Sequence, residues 1–285
     1  MIKHKEEMTE IDNLMLPRAF RVKDLIWETG AGDIYTWELA AESGEAFYFS
    51  PGQFNMLYLH GVGEVPISIS SDSESGKLIH TTRAVGSVTR AMQDVKLNDV
   101  IGLRGPFGRG WPVKEAENRD LVIMCGGMGL PPLRPLIYYV LNHRKKFGNV
   151  FLLYGARSPL EIVYKTELEK LQHEKVIQVK VTVDKKEGQW DGPIGVVPSL
   201  LDQIEFNREN AVAMLCGPEI MMHYGRLALN RHGVDDGRIF VSMERSMKCA
   251  LGHCGHCQWG ADFVCKDGPV YRFADIAQRF NVREL

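Results

Sequence analysis

Asp120-Leu121-Val122-Ile123-Met124-Cys125-Gly126-Gly127-Met128-Gly129-Leu130-Pro131-Pro132-Leu133 is the stretch on which the fold turns. Its first six residues form a nearly continuous apolar run, the pattern of a strand buried on both faces of a parallel sheet. Glycines follow, then prolines of the kind a first helical turn tolerates, because the N–H they lack would be unpaired there anyway. Buried strand, glycine turn and helix start make the first half of a β-α-β unit, and N–H groups at such a helix start can hold a pyrophosphate. The third glycine of the G-x-G-x-x-G pattern is missing, so the loop taken alone fits a simple chain reversal as well.

Downstream the same rhythm repeats. Helices are expected over 133–146, 160–173, 198–204 and 218–232. Strands are expected over 150–154, 177–183 and 211–216, with 238–243 as the last. Alternation of this kind predicts a doubly wound parallel sheet, the α/β half of the fold, over residues 114–243. Leu215-Cys216-Gly217-Pro218-Glu219 brings a second strand end against a helix start, and ligands bind at the carboxyl ends of such strands. Cys216 reads equally as a small core residue. Gly155-Ala156-Arg157-Ser158 follows the second strand. A base there in place of an acid favours a 2′-phosphate, unless Arg157 is a solvated helix-start residue.

Upstream the pattern changes. Ile34-Tyr35-Thr36-Trp37-Glu38-Leu39, Phe54-Asn55-Met56-Leu57-Tyr58-Leu59 and Lys77-Leu78-Ile79-His80-Thr81-Thr82-Arg83 alternate, with turn residues between them. Short strands at this spacing predict an antiparallel β barrel over 19–113, interrupted by a helix near 87–94 and preceded by a polar arm over 1–18. Pro66-Ile67-Ser68-Ile69-Ser70 and Arg83-Ala84-Val85-Gly86-Ser87-Val88-Thr89 supply hydroxyls, an arginine and a glycine bend. Those groups suit phosphates and a polar ring edge, though ordinary turns contain them too.

Two of the six cysteines, Cys125 and Cys216, end apolar runs, whereas Cys249, Cys254, Cys257 and Cys265 crowd into the segment 244–285. Crowding of this sort, with no apolar export signal at the start of the chain, argues for metal rather than disulfides. The spacing C-x4-C-x2-C followed by a fourth cysteine is that of a plant-type [2Fe–2S] cluster. Gly252 and Gly255 would let the backbone wrap closely and aim N–H groups at the sulfurs. The rival is a zinc site on the thiolates, with or without His253 or His256, but zinc ribbons favour two C-x2-C knuckles and one is present.

The 285 residues allow two domains and an appendage, and 45% hydrophobic with 25% charged residues is a globular composition. A formal net charge of −2 gives no reason to expect nucleic acid or an anionic membrane as partner. The long apolar stretch 121–141 is broken by glycines, prolines and Arg134, which argues against membrane insertion. A cytoplasmic protein is expected.

In this order, Pro51-Gly52-Gln53-Phe54, Pro66-Ile67-Ser68, Gly86-Ser87-Val88-Thr89, Gly105-Pro106-Phe107-Gly108, Gly127-Met128-Gly129-Leu130-Pro131 and Cys216-Gly217-Pro218 resemble the signposts of the ferredoxin–NADP reductase superfamily over 20–241. With the cysteine segment added, the chain resembles a subgroup containing soluble sulfhydrogenase (NiFe hydrogenase) gamma subunits. The same subgroup holds the electron-transfer subunits of dihydroorotate dehydrogenase, anaerobic sulfite reductase and NADH-dependent ferredoxin–NADP reductase. Met243-Glu244-Arg245-Ser246-Met247-Lys248-Cys249 is most similar to the hydrogenase gamma type.

The resemblance implies FAD in the barrel, NAD(P)H in the second domain and the [2Fe–2S] cluster beside the flavin. Pro66, Ile67 and Ser68 would line the flavin, with Thr82 and Arg83 nearby and Gly86, Val88 and Thr89 at its phosphates. Gly127, Met128 and Gly129 would cradle the dinucleotide, with Cys216 and Gly217 near the nicotinamide. Where the family carries an arginine opening its flavin motif, this chain has Val65-Pro66, and Arg83 is the candidate replacement. No general acid or base is obligatory, because the cofactors carry the chemistry. The implied partner is another subunit of a multisubunit oxidoreductase, a hydrogenase first. A zinc-stabilised binding module without turnover is the rival of a different class.

Overall fold

The computed structural model describes residues 14–30, 32–280 and 282. Most of the expected arm therefore lies outside the described residues. The first half is six antiparallel strands: β1 (Arg18–Trp27), β2 (Ile34–Ala41), β3 (Phe54–Leu59), β4 (Gly63–Ser68), β5 (Leu78–Arg83) and β6 (Val100–Phe107). Their order is β4-β3-β6-β1-β2-β5. A bridge between Ile69 and His80, with Ser70 N–H donating to the Ile79 carbonyl at 2.8 Å, joins the two ends into a barrel. Alternate residues of the strands, among them Phe20, Trp37, Leu57 and Leu103, fill its interior. Helix α1 (Ser87–Ala91) and a 3-10 turn at Met92–Asp94 form the expected interruption.

His80 is buried in this barrel, with Nδ1 3.0 Å from the Ser68 carbonyl and Nε2 3.1 Å from the Asn55 amide nitrogen. A carbonyl only accepts and an amide nitrogen only donates, so the ring is neutral and carries its proton on Nδ1. Burial, opposed by the Ser68 and Ile67 backbone, pulls its pKa down to about 4. An unfolded histidine takes up its proton near pH 6.5. This stabilisation is therefore fully present above about pH 6.5 and drains away as pH falls to about 4, by roughly 3 kcal/mol. Urea midpoints measured across that window are expected to fall, and to fall less steeply in His80→Gln.

The second half contains β7 (Asp120–Gly126), α2 (Leu130–Asn142), β8 (Val150–Ala156), α3 (Lys165–Glu174), β9 (Gln178–Val183), β10 (Ala211–Cys216), α4 (Glu219–Arg231) and β11 (Ile239–Ser242). The cysteine segment adds a small hairpin, β12 (Gln258–Trp259) and β13 (Asp262–Phe263), then α5 (Val264–Asp267), β14 (Val270–Arg272) and α6 (Phe273–Ile276). Strands β7 to β11 are parallel, in the order β14-β11-β10-β7-β8-β9. Val122 and Met124 of β7 face one core and Leu121, Ile123 and Cys125 the other, which is why the run is apolar throughout.

Three expectations need correction. The strand ending near residue 243 is not the last, because β14 pairs antiparallel with β11 and makes the sheet mixed. Helix α2 starts at Leu130 with Pro131 and Pro132 in its first turn, carries Pro135 inside and stops at Asn142, while Arg144–Lys146 is a separate 3-10 turn. There the Arg144 guanidinium donates to the Phe147, Gly148 and Val176 carbonyls. The helix expected from residue 160 starts at Lys165, after Tyr164 in a left-handed conformation. Tyr164 has its own use, since its hydroxyl donates to Thr81 Oγ1 of the barrel at 2.5 Å. Arg134, stacked on the Tyr164 ring, donates to the Ser70 carbonyl, so buried polar contacts join the two halves.

Candidate functional site

Strand order reverses at β7, with β8 and β9 on one side and β10 and β11 on the other. Such a switch point opens a crevice at the strand carboxyl ends, and a cleft of about 1010 Å³ lies there. Gly127, Met128, Gly129 and Gly217 line it, as do Arg157 beyond β8 and Arg83 from the barrel. Gly127 has φ +51°, and a Cβ on it would meet nothing within 4 Å. That open space leaves room for a phosphate to approach the backbone of the turn. Gly129 serves differently: its φ is ordinary, but a Cβ there would sit 2.0 Å from the Cys216 carbonyl oxygen. The loops after β7 and β10 touch through that glycine.

Cys216 lies in the wall behind this contact, 1% exposed and paired in register with Cys125 of β7. Burial raises its thiol pKa well above the ordinary value, helped by Glu244 and opposed by Ser242 and the Gly217 backbone. The thiol is held protonated and is not a nucleophile. Sequence reasoning missed Glu244, which follows β11 and opens onto the cleft. Its side chain is exposed on the cleft wall, and desolvation, with Glu219 nearby, raises its pKa. Its place just past the carboxyl end of a parallel strand was the available signal. At the far end of the cleft Arg157 is exposed, and Asp184 and Lys185 flank it around a side pocket. Val196, Ile220 and Tyr224 expose apolar surface along the walls, as suits a flat heteroaromatic ring.

On the barrel, Pro66, Ile67 and Ser68 are half-buried on β4, opposite Met56, Asn55 and Phe54. Helix α1 packs on the same strand, and a Cβ on Gly63 would stand 3.2 Å from Val88. Thr89 is buried, and its hydroxyl accepts from the Val85 and Gly86 N–H groups at 3.1 and 2.9 Å. That hydroxyl holds the glycine bend, leaving the exposed backbone of Gly86 and Ser87 outward. Thr82 is buried opposite Tyr35. Arg83 pairs with Asp33 at 2.8 Å and with Glu161 at 3.3 Å, bridging the barrel to the second half at the cleft mouth.

Of the four clustered cysteines, Cys254 is exposed, Cys249 half-buried and Cys257 and Cys265 buried. Leu251, His253 and Cys254 N–H groups point at Cys249 Sγ, each at 3.4 Å, and the Gly252 N–H points at Cys265 Sγ at 3.3 Å. Burial pushes the Cys249 thiol up, but these donors outweigh it and bring the pKa down to about 7. Cys265 is pushed up to about 12 by burial and by Cys257 beside it. Gly252 supplies the left-handed backbone at φ +74°. Ala250 is held at φ +61°, a conformation costly for a residue with a Cβ.

Among the described residues no three His, Cys, Asp or Glu side chains converge where a single ion would sit. Cys249 neighbours Cys254, and Cys265 neighbours both Cys257 and Cys249. Four thiolates without one common centre fit a binuclear iron–sulfur ligand set better than tetrahedral zinc. No helix among the described residues is long and apolar enough to cross a membrane.

Comparison with known proteins agrees with this geometry. The oxidoreductase NAD-binding domain family matches residues 123–226. The iron–sulfur cluster binding domain of dihydroorotate dehydrogenase B matches residues 244–277. The solved NADH-dependent reduced ferredoxin–NADP oxidoreductase superimposes with a TM-score of 0.70 and 24% identity, covering 93% of each chain. The chain is 34% identical to a probable electron-transfer subunit of dihydroorotate dehydrogenase B from Pyrococcus furiosus, over 83% of this chain and 87% of that one. Sulfhydrogenase 1 subunit gamma from the same organism is 37% identical, over 82% of this chain and 83% of its own length. The chain belongs to the family that unites sulfhydrogenase gamma subunits with dihydroorotate dehydrogenase B electron-transfer subunits, electron-transfer proteins on a ferredoxin–NADP reductase-like fold.

Proposed function

We propose that this chain carries FAD on the barrel (19–113), takes NAD(P)H in the cleft of the α/β domain (114–243) and holds a [2Fe–2S] cluster on the segment 244–285. It passes electrons between them and a partner subunit in the cytoplasm. One observation carries the reading. Phe54, Met56 and Phe107 of the barrel, Met124 and Leu215 of the sheet, and Cys257, Trp259 and Cys265 of the cysteine segment share a single hydrophobic core. Three sites built on one close-packed body keep fixed separations, which electron transfer between bound groups requires.

When bound, the flavin exchanges electron pairs with nicotinamide and single electrons with the cluster. The chain's own residues bind and orient. Pro66, Ile67 and Ser68 offer the face of β4 to the ring, and Gly86 and Val88 shape the phosphate turn that Thr89 holds. Arg83, the candidate for the family's missing arginine, reaches the cleft mouth with its guanidinium shared between Asp33 and Glu161. Gly127, Met128 and Gly129 meet the pyrophosphate of the nicotinamide dinucleotide, while Gly217 leaves backbone room beside the nicotinamide. The buried Cys216 backs that position as packing. Arg157 favours a 2′-phosphate, hence NADPH. Cys249, Cys254, Cys257 and Cys265 are the cluster ligands.

Similarity to the sulfhydrogenase gamma subunits supports a soluble hydrogenase as the first reading of the partner. A dihydroorotate dehydrogenase is the second reading, favoured by the match over 244–277. Affinity capture of the full chain from its native cells, with mass spectrometry of what co-purifies, separates the two. The cofactors are tested by anaerobic purification and an absorption spectrum before and after NADPH or NADH. Flavin bands over a broad red cluster shoulder, bleached preferentially by NADPH, are expected. A colourless protein, or flavin with bound zinc and no iron, overturns the reading.

A further inference from the structure

Arg104 of β6 is 4% exposed, and the destinations of its guanidinium are unusual. Nε and Nη2 form a fork on the Glu64 carboxylate of β4, at 2.8 and 2.7 Å. Nη2 also donates to the Lys248 carbonyl at 3.1 Å, and Nη1 to the carbonyls of Cys249 at 3.0 Å and Leu14 at 3.3 Å. A guanidinium has five N–H donors, and here there are five oxygen acceptors. Underneath, the group stacks on Phe107 at 5.6 Å. Burying a charge this deeply costs several kcal/mol unless it is paired and fully hydrogen-bonded, and both conditions are met. No local backbone need of the barrel explains it, since two of the acceptors belong to the cysteine segment, far away in sequence.

We propose that the Arg104–Glu64 pair is a positioning device for the iron–sulfur site: Arg104 fixes the first ligand loop at Cys249 to the flavin barrel, and Glu64 neutralises the charge brought there. The inference rests on the proposed cluster. The two residues have separable effects. Arg104 supplies directional bonds that hold the Lys248–Cys249 backbone, and its fork cannot be replaced by an ammonium with three donors. Glu64 sets the local charge. With its charge removed, the guanidinium stands uncompensated beside a site that gains one negative charge on reduction, and net charge near a cluster moves its potential.

The test uses the full chain, purified anaerobically, as wild type, Arg104→Lys and Glu64→Gln. Midpoint potentials are read by redox titration followed by EPR, and iron release by a chelator is timed. Glu64→Gln is expected to shift the cluster potential upward. Arg104→Lys, which keeps the charge, is expected to release iron on the order of 10-fold faster and to alter the EPR line shape. A Glu64→Gln potential equal to or below wild type, or Arg104→Lys iron release at the wild-type rate, overturns the proposal. Should Arg104→Lys fail to fold, the Glu64→Gln potential decides. A wild type without any cluster signal refutes the cluster reading itself, whereas a normal wild type with unresponsive variants refutes this inference alone.

Discussion

Serine in place of Cys257 is expected to yield a protein that still exchanges electron pairs with nicotinamide but no longer delivers single electrons. Cys257 is 2% exposed, and the Cys265 N–H points at its sulfur at 3.5 Å. A hydroxyl there is a poorer ligand for iron, and it is also a buried polar group costing about 1–3 kcal/mol. The fold survives that cost, because β14 pairing with β11 and the surrounding core hold the segment in place. Iron and acid-labile sulfide per chain are expected to fall to background. Electron delivery to the partner should drop more than about 100-fold, beyond what loss of an outer-shell contact produces. Bleaching of the flavin bands by NAD(P)H should persist. Full iron content in this variant would remove Cys257 from the ligand set.

The second large effect is expected at Gly129, and the contrast with Gly127 makes it informative. Alanine at 129 puts its methyl into the Cys216 carbonyl, with the Gly217 nitrogen 2.7 Å away, and both atoms are backbone. Neither can step aside as a side-chain tip would. Overpacking of this sort costs about 1–3 kcal/mol or more, and in a chain of this size a Tm lower by about 5 °C or more. The loops after β7 and β10 must also part, so KM for the nicotinamide nucleotide should rise about 10-fold or more. At Gly127 the methyl meets no neighbour and the penalty is conformational, roughly 1–2 kcal/mol for a left-handed alanine. That methyl would occupy the phosphate cradle. Both variants are expected to raise KM, and Gly129→Ala to lower Tm further than Gly127→Ala. An unchanged KM in Gly127→Ala would mean the cradle is not where nucleotide binds.

What the sequence made legible follows physical periodicity. Residues 120–125, 150–154 and 211–216 read as buried parallel strands because both faces are covered, and they are strands. The cysteine spacing carried the metal segment without any tertiary information. The barrel was harder. Strand β1 has a register shift between Val22 and Asp24, which breaks alternation where it would be counted. Strand β4 carries Pro66 and has no fully buried residue, and β6 contains Gly102, Gly105, Pro106 and a buried arginine, the vocabulary of a turn. Strand β14 is three residues long, too short for any pattern. Arg104 and Glu64 meet across two strands that neighbour β3 on opposite sides, and Glu244 acquires its place from the closing of the cleft. Nothing in local spacing encodes either.

Strand β14 also bears on how the protein is made. Its three residues cover the outer edge of the sheet, and they follow all four cysteines in the chain. During synthesis β11 therefore shows an unpaired row of N–H and C=O groups until the cysteine loop has emerged and settled. Such an edge is a template for pairing with a neighbouring chain, and transiently exposed edges are where multidomain chains aggregate. Whatever slows ordering of that loop prolongs the exposure, so the short strand that closes the sheet also guards the solubility of the nascent chain.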